Sequence, residues 1–305
     1  MLLLQQMIVL FILMLIGYYT SKKDFLSDMT FKQFSWIVVN IANPAMIISG
    51  SVNSDNPIHG RELFSTLGLA IGLFAVLIIV SMVVPVLIRV PKDDRGVYKV
   101  MMIFSNIGFM GFPLISSIYG ADALLYASLF LIPFNVLMYT YGILALKKQT
   151  GEKEKIDWQK ILNIGVICCA VSIVISLFQI QVPTFVKSTV THLSSLTAPL
   201  SMMVIGASMT KIRFRDLFGD VRLLVFCALK LLVIPVAGLF ILKLFISSDM
   251  LLGVCMVMIA TPVASMTAMM AQQYEGNYSL AAKGVALSTI LSVITMPIVS
   301  VITGI

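Results

Sequence analysis

Apolar residues in this chain come in long blocks, each close to the length a helix needs to cross a bilayer, and polar residues gather in the short gaps between them. A spanning helix takes about 20 mostly apolar residues. The blocks fall near 2–21, 31–50, 62–89, 97–119, 122–147, 158–179, 184–209, 221–246, 250–273 and 279–303. The pattern therefore predicts ten transmembrane helices. The first block has no basic leader and no small-residue cleavage site, and it is too long for a signal-peptide core, so it reads as a retained helix. Four blocks are interrupted near their middles, by Asn43-Pro44, by Asn106 to Pro113, by Thr197-Ala198-Pro199 and by Thr261-Pro262.

These interruptions recur at matching places in the two halves. Arg61-Glu62-Leu63-Phe64 is echoed by Arg215-Asp216-Leu217-Phe218, and each leads into an apolar block that carries Val84-Pro85-Val86 or Ile234-Pro235-Val236. Pro44 precedes Arg61 by 17 residues and Pro199 precedes Arg215 by 16; Asn106 follows Arg61 by 45 and Thr261 follows Arg215 by 46. Each half holds five blocks, an odd number, so the second half begins on the opposite side of the membrane and runs inverted. The expected fold class is an all-α membrane protein of two inverted five-helix repeats. They are residues 1–147 and 158–305, joined by a cytoplasmic linker at 148–157, with broken crossover helices 4 and 9. Inverted repeats with interrupted helices in corresponding positions point to a secondary transporter with its site near the bilayer midplane.

Composition agrees with a membrane protein. The 305 residues are 59% hydrophobic and 11% charged, with mean hydropathy +1.01, too little polar surface for a soluble globule of this size. The net charge of +7 does not indicate nucleic acid, because 17 of the 21 Lys and Arg residues sit in alternate gaps between apolar blocks. That bias places those gaps in the cytoplasm and both termini outside, as expected of a multi-pass protein of the plasma (inner) membrane. Cys168, Cys169, Cys227 and Cys255 lie inside apolar blocks without ligand spacing, and His59 and His192 are far apart, so no metal or cofactor site is expected. No H-E-x-x-H motif, paired intramembrane carboxylates or His/Cys constellation supports an enzyme.

The interruptions carry the candidate chemistry. Ser105 to Pro113 packs two glycines, a proline and an amide at membrane depth, so the backbone is expected to unwind there. Unwound backbone at that depth survives only inside protein or along a wet cavity. Where two such breaks cross, half-helix N-termini bring partial positive charge to one point, suited to a carboxylate or phosphate. Asn106, Gly108, Pro113, Thr261 and Pro262 are expected to shape this substrate site, with Asn135 and Ser265 as further polar contacts. Asn43, Pro44 and Pro199 mark the paired breaks in helices 2 and 7. Asn40 and Asn163 read as helix-to-helix hydrogen bonds. Lys230 is the one charged residue well inside a block and stands as a counter-charge to an anion, a support for a broken helix, or a snorkelling side chain. No Asp or Glu lies in the middle third of a block, which argues against a cation or proton exchanger built on an acid.

Over essentially its whole length the chain resembles the auxin efflux carrier family, which includes bacterial malate and malonate carriers and the plant PIN proteins. Met110-Gly111-Phe112-Pro113-Leu114 is similar to the family's M-G-[I/F]-P-L in the fourth helix. Ala260-Thr261-Pro262 through Gln273-Tyr274 resembles its ninth-helix proline segment, and Asn43-Pro44 fits its second-helix break. The resemblance implies a scaffold of helices 1, 2, 6 and 7, and a transporter domain of helices 3–5 and 8–10 whose fourth and ninth helices cross at the substrate. It also implies elevator-like movement and a homodimer. In plant relatives an Asn and a Pro of the fourth-helix break contact the carboxylate; Asn106 and Pro113 occupy that segment here. The chain lacks the long central hydrophilic loop of the plant members and has Thr261-Pro262-Val263-Ala264 where they have Pro-Gln-Gly. The resemblance therefore implies a bacterial-type carrier of small organic anions rather than of auxin, with a sodium-coupled organic-anion symporter of the bile-acid type as the alternative.

Overall fold

The computed structural model describes residues 2–54, 60–146, 162–210, 217–274 and 276–305, and these are helical apart from short connections and one isolated β-bridge. In chain order the helices are α1 (Leu2–Lys22), α2 (Asp28–Val52), α3 (Gly60–Leu87), α4 (Arg95–Ile103) and α5 (Ile107–Leu146). They continue with α6 (Ile164–Leu177), α7 (Thr184–Met209), α8 (Val221–Leu242), α9 (Asp249–Ala260), α10 (Ser265–Gln273) and α11 (Tyr278–Thr303). Seven of these, α1, α2, α3, α5, α7, α8 and α11, are long and apolar enough to cross a membrane, and α6 and α9 are shorter apolar helices. On α3 the large side chains Val76, Ile79, Val83 and Leu87 are exposed while Leu73, Phe74, Leu77 and Val84 are buried. An exposed stripe this apolar needs lipid rather than water beside it.

Local sequence explains where the helices start and stop. Ser27, Asn163, Asp220, Ser248 and Asn277 each cap the helix that follows by accepting a first-turn backbone N–H. The chain leaves α11 at Gly304 in the left-handed region, φ 64°, where glycine carries no Cβ penalty.

Prolines inside the helices act in a regular way. Val38–Ala42, Ile107–Gly111 and Leu229–Val233 are π-helical turns, and each ends two residues before a proline, Pro44, Pro113 or Pro235. The last N–H before the proline reaches five residues back, from Asn43 to Val38, Phe112 to Ile107 and Ile234 to Leu229. Proline has no N–H and its ring crowds the carbonyl four residues earlier, so a widened turn absorbs it without ending the helix. Gly120, at φ 77° and ψ −167°, divides α5 into two arms. Positive φ is strained for any residue with a side chain, and glycine removes that strain.

The expectation that helices 2 and 7 break at Asn43, Pro44 and Pro199 is corrected by this geometry. At Asn43-Pro44 the helix widens by one π turn and continues. Before Pro199 a single turn at Leu196 is drawn in, with its N–H on the carbonyl of Leu193 three residues back, and helix resumes at Thr197. The linker at 148–157, Arg215 and Asp216 of the repeated tetrapeptide, and His59 lie outside the described residues.

Packing is reciprocal between the halves. The chain's first helix, α1, lies along the second part of α7, and the first helix of the second half, α6, lies along the second part of α2. The α1–α7 contact is backbone to backbone: a Cβ on Gly17 would overlap the Met203 carbonyl, and one on Gly206 the Met14 carbonyl. Small residues permit this approach, which gains van der Waals contact where lipid offers no hydrophobic drive. α3 packs on α4, α8 on α9 and α11, and the region between them holds the two short breaks α4–α5 and α9–α10.

Candidate functional site

Two helical stretches stop in mid-course. α4 ends at Ile103, and Phe104 and Ser105 are extended before the π turn of α5 begins at Ile107. α9 ends at Ala260, and Thr261 to Ala264 are extended before α10 begins at Ser265. The two extended pieces run antiparallel and pair as a miniature sheet through Ser105 and Val263. The Asn106 N–H donates to the Pro262 carbonyl at 2.7 Å, and the Ala264 N–H donates to the Phe104 carbonyl at 3.0 Å. The Val263 N–H donates to Ser288 Oγ of α11 at 3.0 Å. Backbone groups that neither helix could satisfy are thus satisfied by each other, which buried polar backbone requires.

The expected unwinding at Ser105 to Pro113 is therefore corrected in extent. Only Phe104 to Asn106 leave the helix; Gly108 lies in the π turn and Pro113 in the first α-helical turn after it. The widened turn before it absorbs Pro113, and that is why the helix runs on rather than breaking.

Asn106 is the N-cap of α5, its Oδ1 accepting from the Phe109 N–H at 3.3 Å. Its Nδ2 is buried with no partner. Among the described residues, seven buried side-chain polar atoms lack a partner, and four of them come from the four proline-marked interruptions, one from each: Asn43 Oδ1, Asn106 Nδ2, Thr197 Oγ1 and Thr261 Oγ1. Leaving such an atom unpaired costs about 1–3 kcal/mol, so each calls for an explanation. Asn43 lies against the start of α5, its Nδ2 being 3.2 Å from where a Cβ on Gly108 would stand. Ser201, two residues after Pro199, donates to the Phe109 carbonyl at 2.7 Å. The widened turn of α2 and the proline turn of α7 thus both abut the first turn of α5.

Lys230 is 2% exposed, on the π turn of α8, and its Nζ donates to the Met102 carbonyl at 3.1 Å and to Ser105 Oγ at 3.0 Å. Of the roles open to it from sequence, support of a broken helix is the one its geometry serves: it holds the C-terminal end of α4 and the break beside it. Snorkelling is excluded by its burial.

Asn135 does not belong to this site. Its Nδ2 donates to the Leu131 carbonyl at 2.8 Å, and its Oδ1 accepts from Asn163 Nδ2 at 2.6 Å. Both ends of the amide are used in joining α5 to the cap of α6, so the expected substrate contact is corrected to a helix-to-helix bond. Asn163 is likewise at a helix start rather than in mid-span, and Asn40 donates to the Trp36 carbonyl within its own helix. Ser265 opens α10 at the crossing, and Thr267 Oγ1, one of the seven unpaired atoms, lies in the same turn.

Sequence reasoning missed Ser105, Ser201 and Ser288. For Ser288 a signal existed: Ser288, Ser292 and Thr295 recur at helical spacing along one face of an apolar block, and all three are buried. An apolar groove of about 330 Å³ runs between Ile71 and Ile78 of α3 and Ile132 and Pro133 of α5, away from the crossing. A void of about 10 Å³ lies between Met7, Met14, Met110, Met202 and Thr289. Neither holds an organic acid at the crossing, whose side chains are closed off in this conformation. Among the described residues no group of three or more His, Cys, Asp or Glu is placed to hold a metal, and the four cysteines are free and buried.

The profile of a family described as membrane transport protein matches residues 2–164 and 153–300 of the chain. The chain is also 24% identical over 301 residues to an uncharacterized transporter of Methanocaldococcus jannaschii, covering 95% of both proteins. It is 22% identical over 296 residues to an uncharacterized transporter of Methanothermobacter thermautotrophicus, again covering 95% of both.

Proposed function

The chain belongs to the membrane transport protein family, and from that premise we propose that it is a secondary carrier of small organic anions, mono- or dicarboxylates, working by alternating access in the plasma membrane. The observation that carries the reading is the antiparallel pairing of the two breaks. It sets the N-terminal end of α5 beside the unpaired Asn106 Nδ2 and Thr261 Oγ1, with the N-terminal end of α10 at the other end of the same short pairing. Helix N-termini and an amide N–H suit a carboxylate.

In this reading the chain crosses the membrane ten times, with α4 plus the first arm of α5, and α9 plus α10, as the broken crossover passes. The reciprocal α1–α7 and α6–α2 packing supports a second half inverted on the first. α1, α2, α6 and α7 form a scaffold, and α3 to α5 with α8 to α11 move against it as an elevator. At the crossing the carbonyls of Met102, Phe104, Ser105 and Pro262 each accept a hydrogen bond and so hold the breaks together.

The test is binding to purified protein across malate, malonate, citrate, lactate and indole acetate. At least one acid is expected to bind, and Asn106→Ala weakens it about tenfold or more, the loss of one hydrogen bond to a charged group. Asn106→Asp keeps the helix cap but sets a carboxylate against the ligand, so it abolishes binding in a protein that still folds. Unchanged affinity in Asn106→Asp sinks the assignment.

A further inference from the structure

Lys230 is buried at membrane depth with two oxygen partners, and neither partner is an anion. The titratable side chain next to it along α8 is the Cys227 thiol, three residues earlier. On the elements packed against α8, the titratable or charged groups are Tyr98, Arg95 and Lys99 of α4, Asp249 and Cys255 of α9, and Tyr278 and Lys283 of α11. None of them is hydrogen-bonded to Nζ, whose bonds go only to Met102 and Ser105. An ammonium has three N–H donors and would leave one unused here, whereas a neutral amine has two and both are engaged. A charge cut off from water without an anionic partner is costly, and a lysine amine can give up its charge instead.

A fixed cation is also not needed to close a break. α9 ends at Ala260 with no lysine on its last turn, and α3 has no charged residue between Glu62 and Leu87 to mirror Lys230. A single lysine on one side of the crossing thus has no counterpart in the architecture. What it does have is position: it grips Ser105, and the unpaired Asn106 Nδ2 belongs to the next residue, whose Cα is about 3.8 Å away along the chain. A carboxylate held by Asn106 supplies the anion that Lys230 lacks.

We propose that Lys230 is a proton-binding group coupled to the substrate: the empty protein holds it as the neutral amine, and a carboxylate entering the crossing brings one proton onto it. The amine nitrogen takes that proton from hydronium of the bulk solution: one N–H bond forms, one O–H bond of hydronium breaks, and a water molecule is left. The acid therefore crosses with its charge reduced by one, although no intramembrane Asp or Glu carries the proton. This inference rests on the anion-carrier reading.

The experiment mixes purified protein with malate, and with lactate as a second probe, in weakly buffered detergent solution containing a pH indicator. Wild-type protein takes up one proton per acid bound, and between pH 7 and 8 its affinity falls about tenfold, as linkage requires for one coupled proton. Lys230→Arg, whose guanidinium stays charged, binds the acid without proton uptake and without that pH dependence; Lys230→Met binds more weakly and also takes up no proton. Acid binding by the wild type with no proton uptake, or uptake retained in Lys230→Arg, overturns the proposal and leaves the carrier reading standing. If neither of these acids nor malonate, citrate or indole acetate binds, the carrier reading fails and the proposal with it. Because the wild-type stoichiometry alone is decisive, a variant that does not fold leaves the test intact.

Discussion

At the scale of single residues, the amides divide by what their neighbours leave unpaired. Asn106 and Asn135 are both mid-block amides near a proline, and sequence alone cannot separate them. Asn106 spends its Oδ1 on a helix cap and keeps a buried Nδ2 with no partner, while Asn135 spends both ends on Leu131 and Asn163. Asn135→Ala therefore lowers stability by about 1–3 kcal/mol, the cost of leaving Asn163 half-satisfied, and leaves acid affinity unchanged. Thermal unfolding in detergent alongside the binding assay checks both halves of that statement; a binding defect as large as that of Asn106→Ala would return Asn135 to the site. Lys230 was legible as an anomaly, since one charge in an apolar block is costly wherever it points. Its partners, a carbonyl and a serine 128 and 125 residues away, were not.

At the scale of elements, proline placement had two different outcomes. Pro44, Pro113 and Pro235 each follow a widened turn and leave their helices running, whereas Pro262 sits in chain that is extended. The difference is tertiary: at Pro262 an opposed break supplies the missing hydrogen bonds, and at the others a π turn supplies them within the helix. Pairing between helices has an equally local test. Gly17 and Gly206 let α1 and α7 touch through their backbones, so Gly206→Leu forces the helices apart and costs about 3 kcal/mol, at the top of the range for overpacking. Size-exclusion and thermal stability in detergent read this out. Gly68→Leu on α3, where a Cβ meets nothing within 4 Å, is the control and leaves both unchanged.

At the scale of the whole molecule, the proposed inversion of the second half makes a prediction about sides. The gap between α3 and α4, with Arg89, Lys92 and Arg95, should face the cytoplasm, and both termini should face outward. Single cysteines introduced at Lys92 and at Gly304 in a background freed of the four native thiols check this. An impermeant maleimide on intact cells labels the Gly304 site and spares the Lys92 site until the membrane is opened. Labelling of Lys92 in intact cells would reverse the orientation. The proposed inversion rests on spacings of 16 and 17 residues upstream of the repeated tetrapeptide and of 45 and 46 downstream, since element lengths and their order are written along the chain.

The amino-acid order by itself determined that this is an all-helical membrane protein with paired interruptions, since apolar run length, proline and charge bias act locally and survive in one dimension. Only the tertiary structure decided which interruptions become true gaps. A gap persists only where another piece of chain arrives to take its N–H and C=O groups, as Phe104 to Asn106 and Pro262 to Ala264 do for each other across more than 150 residues of sequence. The same folding step left Asn106 Nδ2 without a partner and gave Lys230 two neutral ones.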